Sequence, residues 1–169
     1  MNKNNSSEQG RPVVYRRAVI KHDGNGRLFA QARISAGFTQ EKLASLLSIK
    51  EVATIRNIES GIYDIEDRTY TLFALLTNTH PLYTLFSKNT GGGLSLTAPS
   101  GYEIRRIRKT KSGLTQRGMA SVMGLSGHAM ISKYESDSRS PSPSNWSLFL
   151  LVIGEHPHYE IKPKNIGSE

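Results

Sequence analysis

Shifted by 76 residues, the 169-residue chain falls on itself without a gap. Gly37-Phe38-Thr39-Gln40 meets Gly113-Leu114-Thr115-Gln116, and Ala44-Ser45 meets Ala120-Ser121. In the same register Ala53 meets Ala129, Ile55 meets Ile131, and Glu59-Ser60 meets Glu135-Ser136. Leu72-Phe73 falls on Leu148-Phe149, and His80-Pro81 on His156-Pro157. Several unmatched positions keep their character: Leu43 and Met119, Ile58 and Tyr134, Tyr70 and Trp146. An internal repeat sets the architecture before any single residue is weighed. It implies two copies of one small unit, each of roughly 60 residues and close to the lower limit for folding alone. Lean cores and mutual packing are therefore expected.

Charge divides the copies. The chain carries a net charge of +8, which suggests a polyanionic partner, nucleic acid before membrane. Residues 27–86 hold six basic and six acidic groups, whereas residues 101–161 hold eight basic and five acidic. Residues 1–26 add a further net +3. There is no cysteine, so disulfide scaffolds, thiolate zinc sites and cysteine nucleophiles are excluded. Residues 1–10 are polar and read as disordered, and they lack the apolar core of a secretory signal. The longest apolar run, residues 148–153, is far too short for a bilayer span. A cytoplasmic protein, nucleoid-associated when bound to DNA, is expected.

Helical spacing organises both copies. In the first, Leu28, Phe29, Ala32 and Ala36 mark one helix, ended by Gly37. Thr39 caps a second, with Leu43, Ala44 and Leu47 inward. Ile55 and Ile58 define a third, residues 68–77 a fourth, and His80-Pro81 opens an expected short fifth over 82–86. In the second, Ser100-Gly101-Tyr102-Glu103 reads as a capping box. Helices follow over 102–111, 115–123, about 127–134 and 145–153. Residues 11–21 read as a basic arm or short strand. Residues 87–100, with Gly91-Gly92-Gly93, read as a flexible linker. The expected division is thus 1–26 arm, 27–86 first domain, 87–100 linker, 101–161 second domain and 162–169 tail. The expected fold class is all-α.

Thr-Gln, then an alanine four residues on, an aliphatic turn, an aliphatic third helix and a closing glutamate resemble the lambda-repressor-like helix-turn-helix family, in two tandem copies. The resemblance rests on Phe38-Thr39-Gln40-Glu41-Lys42-Leu43-Ala44 with Ile55-Arg56-Asn57-Ile58-Glu59-Ser60-Gly61. In the second copy it rests on Leu114-Thr115-Gln116, Ala120, Gly124-Leu125-Ser126 and Ile131-Ser132-Lys133-Tyr134-Glu135. Gln to Glu spans 19 residues in both, one more than the family's usual spacing. The resemblance implies a third helix, about 50–59 or 126–135, lying in the DNA major groove. Outward positions are then Lys50, Glu51, Val52, Thr54, Arg56 and Asn57 in one copy, and Ser126, His128, Met130, Ser132 and Lys133 in the other. Lys133 can reach guanine, Asn57 adenine, and Val52 or Met130 a thymine methyl. Gln40, Thr115, Gln116 and Arg117 sit where a helix start meets phosphate. Arg105, Arg106, Arg108 and Lys109 form a basic face suited to the backbone.

No nucleotide loop, nucleophile elbow or metalloprotease motif occurs, so no enzyme, metal or cofactor is expected. His156-Pro157-His158 reads as a helix start before it reads as a metal site. The expected function is sequence-specific binding of double-stranded DNA and regulation of transcription, most simply as a repressor of bacterial, phage or plasmid type. A DNA-binding accessory factor of a mobile element, or an antitoxin-like interaction module, is the alternative. A homodimer and a protein partner docked on the first domain stay open, and no membrane is expected.

Overall fold

A computed structural model describes residues 12–165. They form eight α-helices and one two-stranded antiparallel sheet. The first unit contains α1 (Gly26–Ser35), α2 (Gln40–Leu46), α3 (Val52–Glu59), α4 (Asp67–Leu76) and β1 (Tyr83–Ser87). The second contains α5 (Gly101–Ile107), α6 (Gln116–Val122), α7 (Ala129–Glu135), α8 (Pro143–Val152) and β2 (Tyr159–Pro163). Among the described residues no helix is long and apolar enough to cross a membrane. The disordered stretch expected over residues 1–10 lies outside the described residues.

Caps place the helices. Asn25 accepts the Leu28 amide at 3.1 Å, Thr39 that of Lys42 at 3.0 Å, and Thr115 that of Gly118 at 3.0 Å. Each satisfies an amide that a helix start leaves unpaired. Left-handed residues recur at the repeat offset, where helices stop: Gly37 and Gly113, Ser48 and Gly124, Asn78 and Gly154. The first-helix start is glycine in both units for want of room. A methyl group on Gly26 would overlap carbonyl atoms of Ile58 and Glu59, and one on Gly101 those of Tyr134 and Glu135. Burying the inward faces then assembles each core. Phe29 stacks on Phe73 at 3.9 Å between ring centres, while Ile55, Ile58, Ile131 and Tyr134 are buried as their spacing requires.

The first helices do not obey the 76-residue shift. Gly26 answers to Gly101 and Phe29 to Ile104, one residue fewer. The second unit holds an extra residue before Gly113. A π-helical stretch over Arg108–Ser112 takes it up at the end of α5, the usual way an α-helix accommodates an insertion. The expected uninterrupted helix over 102–111 is corrected accordingly. The capping box is also incomplete: Ser100 accepts the Glu103 amide, but the Glu103 carboxylate pairs with Arg106 at 2.6 Å.

The fifth helix expected over 82–86 is a strand. His80 is buried. Its Nδ1 accepts the amides of Leu82 and Tyr83 at 3.1 Å each, so the hydrogen sits on Nε2, which donates to the Ala18 carbonyl at 2.7 Å. His156 repeats this with the amides of His158 and Tyr159 and the Leu94 carbonyl. The imidazoles bend the chain into the strands instead of starting a helix.

The same bonds correct the linker and the arm. Ala18 is 0% exposed and Leu94 is 1% exposed. The Ile20 amide donates to Thr71 Oγ1 at 3.0 Å, and the Leu96 amide to Ser147 Oγ at 2.8 Å. Ile20 and Leu96 are thereby tied to the fourth helix of their own unit, neither segment belongs to a sheet, and the Tyr15 amide donates across to the Val152 carbonyl of the second unit at 2.7 Å. Neither spans open space, so the repeat reaches beyond the helical domains to include the segment before each.

The units meet through equivalent surfaces. Tyr83 pairs with Pro163, Leu85 with Ile161 and Ser87 with Tyr159. Leu85 and Ile161 are equivalent positions, so the pairing is centred on its own image. The Lys88 amide donates to the His158 carbonyl, and the Lys164 amide to that of Leu82, both at 2.8 Å. Arg68 donates to the Met123 carbonyl at 3.2 Å, and Ser144, its equivalent, to the Leu47 carbonyl at 2.9 Å. Residue i touching j while the equivalent of i touches that of j is the signature of a two-fold interface.

Candidate nucleic-acid interface

An ion pair fixes the third helix of each unit. Arg108 grips Glu135 with two parallel bonds, 2.5 and 3.0 Å, and its third nitrogen reaches the Leu114 carbonyl at 2.7 Å. Gln116 Nε2 adds a bond to the same carboxylate at 2.9 Å. Burial pushes the Glu135 carboxyl up, but the bonds from Arg108 and Gln116 outweigh it and hold it below the ordinary value. In the first unit Arg33 grips Glu59 at 2.5 and 3.2 Å and reaches the Phe38 carbonyl at 2.7 Å. Gln40 Nε2 completes that set at 2.7 Å. The fork of guanidinium matches a carboxylate in two places, which fixes direction as well as distance. The end of the third helix is thereby locked to the first helix and to the start of the second.

What this leaves outward is the exposed face of α3 and α7. Ser126, His128, Ser132 and Lys133 are exposed, and Met130 is half-buried against the core. In the first unit Lys50 and Arg56 are exposed, while Val52, Thr54 and Asn57 are half-buried. Arg56 Nε donates to Gln40 Oε1 at 3.3 Å, so Gln40 bridges Arg56 and Glu59. Arg105, Lys109 and Arg117 are exposed, and Thr115 spends an acceptor site on its cap. Ala44 and Ala120 are buried where the second and third helices meet. The turn between the second and third helices covers residues 47–51 in one unit and 123–128 in the other.

Three assignments need correction. Arg108 is not a phosphate ligand: it is 4% exposed and committed to Glu135. Gln40 and Gln116 each spend one amide hydrogen on the Glu59 or Glu135 carboxylate, which leaves no more than one for a phosphate. Arg106, by contrast, stays exposed and gives its Nε to Glu103 at 2.6 Å. The Arg33–Glu59 and Arg108–Glu135 pairs escaped sequence reasoning. Allowing one gap before Gly113 aligns Arg33 with Arg108 and would have found them.

A helix-turn-helix family model matches residues 104–159. That stretch runs from α5 to the start of β2 and holds the Arg108–Glu135 pair, Gln116 and the exposed face of α7. A single copy is matched, in the second unit. No curated protein matches the chain, and no solved structure does.

Proposed function

We propose that the protein is a sequence-specific double-stranded DNA-binding regulator of transcription, acting as a repressor in a bacterial, phage or plasmid setting. The observation that carries this reading is the second unit. There a helix-turn-helix match coincides with a third helix that is buttressed from behind and bare in front. A helix held rigidly by its inner face is what base reading in the major groove requires. Ser126, His128, Met130, Ser132 and Lys133 present the polar and apolar groups that base edges accept. Arg105, Lys109 and Arg117 surround them with positive charge suited to phosphates.

The first unit reads bases through Lys50, Val52, Thr54, Arg56 and Asn57, with less electrostatic support. Glu41 stands where the second unit has Arg117, and Glu51 where it has Gly127. The second unit therefore supplies most of the binding free energy. A regulator seated over a promoter blocks polymerase by occupancy alone and needs no cofactor.

The test is selection from a random duplex library with the purified protein at two salt concentrations, followed by a promoter reporter carrying the selected site. A reproducible motif, with affinity falling steeply as salt rises and reporter output lowered by the protein, is expected. No enriched motif at either salt contradicts the proposal. A motif with no effect on the reporter would leave DNA recognition and remove transcription control.

A further inference from the structure

The relation between the units carries a consequence for the DNA, resting on the DNA-binding reading above. In two-fold DNA-binding dimers, two copies of a chain associate and read an inverted repeat of identical halves. Here the surfaces that join the two units are joined within one chain. The β1–β2 pairing is centred on the equivalent residues Leu85 and Ile161. Arg68 to Met123 and Ser144 to Leu47 are bonds exchanged across the same axis, as are Lys88 to His158 and Lys164 to Leu82. Ser48 meets Ser95 at 2.6 Å, and at their equivalents a Cβ on Gly124 would lie 3.1 Å from Val19. The would-be linker lies packed along α8, with Leu94 buried beneath the His156 ring nitrogen. Geometry then constrains the reading faces. A two-fold operation leaves the component of any direction along its axis unchanged, so whatever part of the α3 face points along that axis is matched in sense by α7. It reverses the sense in which they run across it.

The two faces are not copies. In the register of the repeat, Asn57 stands against Lys133, Arg56 against Ser132, Lys50 against Ser126 and Glu51 against Gly127. The scaffold residues match while the outward residues do not. We propose that the chain is a single-chain dimer. One molecule binds two unlike half-sites in inverted orientation at one fixed spacing, a class of site that two identical subunits would not read equally well. Joining the halves in one chain also removes the dependence of occupancy on protein dimerisation.

The experiment uses the full chain and the duplexes enriched from a random library. Native mass spectrometry should give one protein per duplex. The enriched motif should contain two different half-sequences, inverted, at a single spacing. Asn57→Ala should relax base preference in one half only, and Lys133→Ala in the other only. Each should weaken binding to the parent site by roughly 5- to 150-fold, the range for a lost base contact. Two proteins per duplex on identical halves, direct repeats, variable spacing or a single half-site would each overturn the proposal while leaving DNA binding intact. The absence of any motif would overturn the DNA reading and this inference with it. Circular dichroism of both variants, expected to match the parent, distinguishes lost contacts from lost fold.

Discussion

The two units share a skeleton and differ in skin. Arg33, Gln40 and Glu59 repeat as Arg108, Gln116 and Glu135 with bond lengths within about 0.2 Å of one another. His80 and His156 make the same three bonds, and Thr71 and Ser147 each accept one amide of the segment before them. Over that common frame the first unit is neutral and the second basic. Burial and hydrogen bonding dictate the residues that hold the fold, because an unsatisfied buried group costs about 1–3 kcal/mol. Exposed positions carry no such constraint and are free to answer to a ligand. The difference teaches where function is written in such a chain: in what varies between equivalent exposed positions.

The comparison can be broken most forcefully at the ion pairs. The side chains of Arg108 and Glu135 are each 5% exposed, against 11% for Arg33 and Glu59. Arg108→Ala strands a buried carboxylate and should cost about 3–5 kcal/mol, read as a lowered urea midpoint. Arg33→Ala should cost less, because Glu59 is closer to water. An equal or reversed order would show that burial does not separate the units.

The strand pairing offers a second contrast. Ile161 is buried and its equivalent Leu85 is half-buried. Ile161→Ala should cost about 2–5 kcal/mol, the range for truncation in a core, and Leu85→Ala distinctly less. Thermal unfolding of the two variants checks this. If Ile161→Ala is nearly neutral, the sheet does not hold the units together.

A subtler test uses pH, where the units should agree. Burial lowers His80 and His156 from the ordinary value of 6.5, against the opposing effect of the carbonyl each bonds. A base with a lowered folded pKa binds fewer protons folded than unfolded, so stability rises with pH through that window. The contribution is complete above 6.5 and is lost as pH falls from there toward the folded values. Melting temperature should therefore drop between about pH 7 and pH 5. His80→Gln and His156→Gln should each lower the plateau and flatten that drop by similar amounts. A drop undiminished in both variants would mean other groups govern it.

Much of this plan was legible in the residues, for identifiable reasons. The caps Thr39 and Thr115 and the inward pairs Ile55/Ile58 and Ile131/Tyr134 follow from local spacing, and the structure places them accordingly. The ion pairs were hidden because a gapless shift sets Phe29 against Arg105, whereas the packing sets it against Ile104. One residue in a π-helical turn was enough to conceal them. The strands were hidden because the five residues that form each after His-Pro are too few to show a periodicity that chooses between helix and strand. Their pairing partner also lies in the other unit. Three glycines made residues 87–100 look free, while Leu94 and Leu96, which bind the segment down, carry no local signal of their depth. On the candidate interface, the exposed set on α7 was legible from helical phase. The fate of Arg108, Gln40 and Gln116 was not, because it depends on a carboxylate 19 or more residues away.

The most direct test of the account compares DNA affinity after stripping each face. One variant carries Lys50→Ala and Arg56→Ala, the other Arg105→Ala and Lys133→Ala, and both are titrated against the selected duplex over a range of salt. The account predicts measurable loss in both and the greater loss in the second, whose salt dependence should flatten by about 0.9 per phosphate contact removed. Equal losses, or a greater loss in the first, would contradict a division of labour between two units built on one frame.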